Sequence, residues 1–342
     1  MHIINRVLGA CAAVSVLTLC AQVAVAESTL DVVKKRGQLV CGVSGEIPGF
    51  SFLNAVREWQ GLDVDLCRAI AAAVLGDATK VKFVPVTAKQ RFDALKAGDF
   101  DVLARNTTVT LQRVAGLGVQ FAAVNYYDGQ AFVVPTKLGI KDVAGLRSSN
   151  VCILKGTTHE ANMENWFRSR RLSVTPKVFD TQDAMYDAFF ANRCIAVTDD
   201  ASAMASMIVR RGKAADHTML PDVISKEPLG PFVRRGDDAW LEVVRWTHYA
   251  MIEAEEREIF KANVGELRQS LDPDVRLFVG TKPGNGQALG LDDKWAYEII
   301  RQVGNYSDSF ERNLGTRSPL NLARGINALW SKGGQMYPWP LR

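Results

Sequence analysis

The sequence predicts an α/β protein of two lobes, each built on a parallel sheet, with the second lobe inserted into the first. Three observations carry this. Short apolar runs alternate with segments of helical periodicity, which is the pattern of parallel sheets. That rhythm runs from about Gln38 to Pro135 and starts again near Lys137. Ser225 to Val233 then reads as a returning connection, so two chain crossings join the lobes as a hinge does.

The 342 residues suffice for two domains of ordinary size. A hydrophobic fraction of 47% and a charged fraction of 23% are those of a soluble globular chain. The net charge of +4 is mild, and basic residues are interleaved with acids, which argues against a nucleic-acid surface. The first 26 residues read as a secretory signal peptide: Arg6, an apolar run from Val7 to Leu19, then the small-residue site Ala24-Val25-Ala26 before Glu27. Leu17 to Cys20 is a poor lipoprotein site, because Leu19 is too large for the position before the cysteine. The mature chain is therefore expected free in an exported compartment, the periplasm.

Cys41, Cys67, Cys152 and Cys194 remain after cleavage, and four cysteines allow three pairings. Pairing Cys41 with Cys67 and Cys152 with Cys194 would give each half its own staple. No two cysteines lie at metal-ligand spacing, and the four histidines make none. Gly284 to Gly290 has the wrong spacing for a dinucleotide fingerprint. No cofactor or metal is expected.

In order, Leu30 to Arg36 reads as a helix and Gln38 to Val43 as a buried strand. Leu62, Leu66, Ala69, Ile70 and Ala73 recur at helical spacing, with Asp63 and Asp65 at the start and Gly76 at the stop. Val81 to Val86 is a strand, Ala88 to Ala97 a helix and Phe100 to Ala104 a strand. In the second lobe, Val151 to Leu154 is a strand, and Thr157 and Glu160 have capping-box spacing. Val174 to Phe179 is extended, Gln182 to Phe190 helical, Cys194 to Thr198 a strand, and Asp199-Asp200 opens a helix through Arg211. The first lobe is thus assigned to residues 27–136 and 231–342, and the second to 137–230. After the Trp240 to Ala254 helix, the extension 261–342 carries further helical pieces, Asp292 to Val303 and Leu320 to Trp330. Packing onto the first lobe is its plain reading; contact with a partner is the sharper one.

Three places can converge on one small molecule. Arg105 to Arg113 follows a buried strand, and the carboxyl ends of strands are where open α/β sheets place ligands. Its hydroxyls and Arg113 suit a carboxylate. Gly156-Thr157-Thr158 offers free amides at a helix start, which favour an anion. Asp199-Asp200 offers acids that serve either as a cap or as a partner for a cation. A cation on one lobe, with amides and an acid on the other, complements an α-amino-acid zwitterion. Charge-assisted hydrogen bonds contribute about 1.5–3 kcal/mol each, so a few reach the roughly 8 kcal/mol of micromolar binding. Arg91, in the first turn of a helix where the dipole disfavours it, suits an acidic ligand side chain or solvent. Phe50, after Pro48-Gly49, is the best candidate for an aromatic pocket wall.

Gly61-Leu62-Asp63-Val64-Asp65-Leu66, Ala97-Gly98-Asp99-Phe100-Asp101-Val102 and Thr110-Leu111-Gln112-Arg113 together resemble family 3 solute-binding proteins of ABC transporters, from about Gln38 to Ala254. Glu227-Pro228-Leu229-Gly230-Pro231, Val303-Gly304-Asn305-Tyr306 and Asn327-Ala328-Leu329-Trp330 look like the general L-amino-acid-binding subgroup. The resemblance implies a two-lobed flytrap of the type II periplasmic binding-protein class, a monomer delivering L-amino acids to inner-membrane permease subunits. It puts Arg113 on the α-carboxylate beside Asn106 and Thr108, with Thr158 opposite. Asp200 faces the α-ammonium, with Asp199 one position away. Arg91 and, less directly, Gln182 meet the ligand side chain. The chain departs from the family at Ile195, where an acid is usual, and at Asn106, where serine is common. A catalytic relative on this fold, like a cyclohexadienyl dehydratase, would need an acid at the substrate, and Glu46 is the only loop acid to nominate. A receptor ectodomain is the third possibility, and no anchor follows the domain to support it.

Overall fold

The structure is a computed structural model and describes residues 27–341. The signal-peptide segment therefore lies outside the described residues.

Each lobe carries a five-stranded sheet. In lobe one the order is Val81–Pro85, Leu39–Val43, Val102–Leu103, Phe232–Arg234, Val119–Phe121; the first three are parallel and Phe232–Arg234 runs against its neighbours. Lobe two repeats the plan with Thr175–Phe179, Asn150–Leu154, Ala196–Asp200, Gln130–Pro135 and His217–Met219. The strand that comes first in sequence in each parallel trio lies in its middle, so the chain leaves it in opposite directions and opens a crevice at the carboxyl edge. Those two edges face each other.

The lobe boundary differs from the sequence expectation. Gln130–Pro135 pairs antiparallel with Ala196–Asp200, so it belongs to the second sheet, not the first. The crossing lies earlier, where Tyr126–Asp128 pairs antiparallel with Glu227–Leu229. These two short strands are the hinge. An apolar strand signals burial but not which sheet buries it, and hence the boundary at 136/137 fell one strand late.

The Leu62–Leu75 helix anchors lobe one. It starts at Gly61, φ 131°, where a Cβ would lie 2.0 Å from the Phe50 carbonyl oxygen, so no other residue fits. Its alanine-rich flank lets the Trp295–Gln302 and Asp238–Glu256 helices pack close. It ends at Gly76, whose N–H reaches the Ala72 carbonyl. Cys41 is bonded to Cys67, tying the central strand to this helix, and Cys152 to Cys194 in lobe two, with Cα separations of 6.3 and 5.7 Å.

The extension packs onto lobe one. Trp295, Ala296, Ile299 and Ile300 are buried, and the Tyr306–Asn313 helix is closed by a capping box from Asn305 to Asp308. The helix expected over Leu320 to Trp330 does not form: Asn321 and Gly325 adopt positive φ, and only 3-10 turns remain at Gly325–Asn327 and Trp330–Lys332. One of these turns presents the Asn327 side chain to the hinge, where its amide clasps both the N–H (2.7 Å) and the C=O (3.0 Å) of Tyr127.

Candidate ligand-binding cleft

On lobe one, the turn after Val102–Leu103 is set by a buried carboxylate. Asp63 accepts the Asn106 N–H at 2.8 Å and the Asn125 side-chain amide at 3.2 Å, which holds Asn106 at φ 34°. Thr108 follows, its backbone bridged to the returning hinge strand at Leu229. Thr110 caps the next helix by accepting the Arg113 N–H, and Arg113 donates from Nη1 to the Thr108 carbonyl at 2.7 Å. Arg91 and Arg113 share one aromatic neighbour, 5.1 and 5.4 Å from the Phe92 ring centre.

Arg91, Arg105 and Arg113 are all buried, and none pairs with a carboxylate within 4.0 Å. Burial, then the charges of Arg113 and Arg105, pull the Arg91 pKa down; its Nε has no partner, and Nη2 meets only the Gly156 carbonyl at 3.4 Å. Burial lowers Arg105 to about 10, opposed by Glu46, Asp199, Asp63 and Asp200. Lobe one thus carries a cluster of desolvated cations with carboxylates nearby but none in direct contact, a costly arrangement that an anion would relieve.

On lobe two, the capping box expected from Thr157 and Glu160 is not formed. The Thr157 hydroxyl donates to the Leu154 carbonyl, while Glu160 accepts the Gly156 N–H. The helix begins at His159 and leaves Thr158 to face the cleft. Gly156, φ 78°, lies under lobe one: a Cβ there would sit 2.9 Å from Lys89 Cα. Asp200 ends a strand and makes no side-chain cap; its carboxylate meets His159 Nε2 at 3.0 Å and, across the cleft, Asn106 Nδ2 at 3.3 Å. Asp199 turns to Gln182 Nε2 and the Tyr186 hydroxyl. Burial pushes Asp199 up to about 6 against the pull of His159. Burial alone would lower His159, but Asp200, Asp199 and Glu227 outweigh it and raise its pKa to about 9.

Arg91, Asn106, Thr108, Arg113, Thr158, Gln182 and Asp200 line one cavity of about 20 Å³. That is room for about one water molecule, so the two walls are closed tightly on one another. Phe50 does not line it. Its ring is buried in the lobe-one core, edge-on to Tyr126 at 5.3 Å, because the Pro48-Gly49 turn sends it inward. Glu46 accepts the Gln182 N–H at 3.0 Å from across the cleft, at the start of a lobe-two helix. A second cavity of about 150 Å³, lined by Ser44, Glu46, Thr181 and others, adjoins the first through Arg105, Leu154 and Gln182.

Sequence reasoning missed three participants. Arg105 and His159 also line the cleft. Glu227 lies on the hinge, where its carboxylate accepts from Thr108 (2.6 Å) and Thr158 (2.8 Å). His159, Asp200 and Glu227 bring donor atoms within 4.8 Å of one another, the spacing of a metal site. Here Asn162, Ser225 and the two threonines hold Glu227, and His159 Nε2 holds Asp200, so both carboxylates are engaged in hydrogen bonds, while His159 Nδ1 has no hydrogen-bond partner and faces Asp199 at 3.6 Å.

Two sheets facing across a two-stranded hinge, with a charged cavity between their carboxyl edges, define a two-lobed binding protein of the periplasmic type II class. The chain belongs to the bacterial extracellular solute-binding proteins, family 3, whose family model matches residues 39–265. It is 45% identical over 340 residues to the general L-amino acid-binding periplasmic protein AapJ of Rhizobium johnstonii, covering 99% of each chain. It is 44% identical to the glutamate/glutamine/aspartate/asparagine-binding protein BztA of Rhodobacter capsulatus, covering 93% of this chain and 95% of that one. A solved periplasmic binding protein from Brucella ovis with glutathione bound superposes with a TM-score of 0.90 at 46% identity, covering 92% of this chain and all of that one.

Proposed function

We propose that this chain is the periplasmic receptor of an ABC importer for polar L-amino acids, acidic ones included, and that it works as a monomer that hands its ligand to inner-membrane permease subunits without chemical change. The observation that carries this is the polarity of the cavity: unpaired guanidinium groups on lobe one face Asp200 and an amino-terminal helix turn on lobe two. An α-amino acid satisfies both walls at once, and a second carboxylate satisfies Arg91. Export rests on the signal-like first 26 residues. The catalytic alternative is disfavoured by Glu46, whose carboxylate is engaged with the Gln182 N–H rather than free for proton transfer.

The adjoining cavity, about 150 Å³ and continuous with the first through Arg105, Leu154 and Gln182, favours a second reading, in which the ligand is longer than a free amino acid. Glutathione, the ligand of the Brucella relative, carries an α-amino-acid head at its γ-glutamyl end and would extend past Arg105. A thermal-shift screen of the mature protein against the L-amino acids and reduced glutathione tests both. A ligand binding only the folded state raises the melting temperature. Glutamate and aspartate are expected to give the largest shifts. A shift with glutathione alone transfers the function to the second reading, and no shift with any of them overturns both.

A further inference from the structure

Glu227 is 1% exposed and lies on the hinge itself, belonging to neither wall of the cavity. One carboxylate oxygen accepts from the Thr108 hydroxyl of lobe one and the Thr158 hydroxyl of lobe two; the other accepts from Asn162 Nδ2 at 2.8 Å and the Ser225 hydroxyl at 2.5 Å. A hydroxyl has one proton to donate and two lone pairs with which to accept. With both protons directed at Glu227, Thr108 and Thr158 present only lone pairs to the cavity. They can accept from an ammonium but cannot donate to a carboxylate. Asp200 and Glu227 also bring carboxylate oxygens within 4.8 Å of each other and of a His159 ring nitrogen, two buried acids against one imidazole, a surplus of negative charge that favours a further cation.

We propose that Glu227 is a positioning residue that sets the orientation of the ligand: it fixes one hydroxyl on each lobe as an acceptor and so builds an ammonium subsite between Asp200 and the hinge. The carboxylate is left to Arg113 and the lobe-two backbone amides. The ammonium then ties Asp200 to the two hydroxyls that Glu227 already joins, adding a ligand-dependent bridge between the lobes. This rests on the amino-acid reading above and adds the residue that discriminates amino acids from their des-amino analogues.

The test is calorimetry of the mature protein with L-glutamate and with glutarate, which has the same carbon chain and both carboxylates but no ammonium. The wild type is expected to bind glutamate at least roughly 100-fold more tightly than glutarate. In Glu227→Ala the hydroxyls are free to turn, glutamate weakens by roughly 10- to 100-fold, the range of one charge-assisted hydrogen bond, and glutarate is unchanged or tightens. The preference therefore collapses. Glu227→Gln keeps the volume and one acceptor oxygen, folds if the alanine variant does not, and is expected to give an intermediate preference. Equal weakening of both ligands, with the preference preserved in both variants, would make Glu227 a structural residue and overturn the inference alone. A wild type that binds neither ligand overturns the amino-acid reading and the inference with it. A divalent cation is the other occupant the cluster could take: zinc raising the melting temperature of the ligand-free wild type, but not of Glu227→Ala, would also overturn the ammonium subsite.

Discussion

Asp63 accepts the backbone N–H of Asn106 at 2.8 Å, so a buried acid on one helix sets the conformation of the cleft residue opposite Asp200. Burial pushes Asp63 up to about 6, against the hydrogen bonds from Asn106 and Asn125 and the charge of Arg105. The folded state therefore holds a proton that the unfolded chain releases near 3.8. Stability falls as the pH rises between those values, by about 3 kcal/mol from this group alone. Asp199, also raised, has the same sign. Unfolding free energies measured from pH 4 to 7 are expected to decline in the wild type and to decline less in Asp63→Asn. Identical slopes would place the charged form of Asp63 in a more polar setting than its burial indicates.

Arg91 is buried with an unpartnered Nε and with Arg113 and Arg105 as its charged neighbours. Removing a desolvated, unpaired charge should stabilise the empty protein, so Arg91→Met is expected to raise its melting temperature, in line with gains of about 1–4 kcal/mol when buried ionic groups are replaced by apolar ones. The same variant should weaken glutamate and aspartate by about 2–5 kcal/mol and leave glutamine and asparagine nearly unchanged. Stability and acidic-ligand affinity thus move in opposite directions. Equal losses across the four amino acids would place Arg91 away from the ligand side chain.

The parts of this site that were legible in the sequence are those written locally. Asn106, Thr108 and Arg113 share one strand end and one helix turn, and Thr158 and Asp200 each follow an apolar run that marks a strand end. Glu227 was not legible: it lies 69 residues from Thr158 and 119 from Thr108, and meets them only because the hinge folds back. Phe50 misled for the opposite reason. A glycine-proline turn announces a change of direction but not its sense, and the ring went to the core. Gln130–Pro135 was recognised as a strand, yet its partner is set by an antiparallel pairing with residues some 65 positions on.

His159 supplies a pH dependence of the other sign. Its pKa rises to about 9 in the fold, because Asp200, Asp199 and Glu227 outweigh the burial that would lower it. The unfolded value is near 6.5. The stabilisation is complete below about pH 6.5 and is lost as the pH climbs through 9, amounting to about 3 kcal/mol. Chemical unfolding of the ligand-free wild type from pH 6 to 10 is expected to show this decline. His159→Gln, which keeps a donor toward Asp200 but cannot titrate, is expected to be flat over the same window and less stable at its lower end. A decline preserved in the glutamine variant would assign it to another group.

The extension touches the hinge through Asn327. Its side-chain amide pairs with both backbone groups of Tyr127, on the hinge strand that faces Glu227–Leu229. Tyr306 adds a hydrogen bond to the Asn125 carbonyl at 2.8 Å, two residues before that strand position. The hinge therefore bends against a fixed support rather than between two free crossings. Asn327→Ala leaves an N–H and a C=O of Tyr127 without their partner, at a cost of about 1–3 kcal/mol. It also returns conformational freedom to the open, empty state, which closure must then remove. The variant is expected to melt earlier and to bind glutamate several-fold more weakly, with the loss appearing in the slow closing step of stopped-flow traces rather than in encounter. Asn327→Asp keeps the acceptor for the Tyr127 N–H and should recover part of the stability. Weaker binding that resides in the encounter rate would remove the hinge from the explanation.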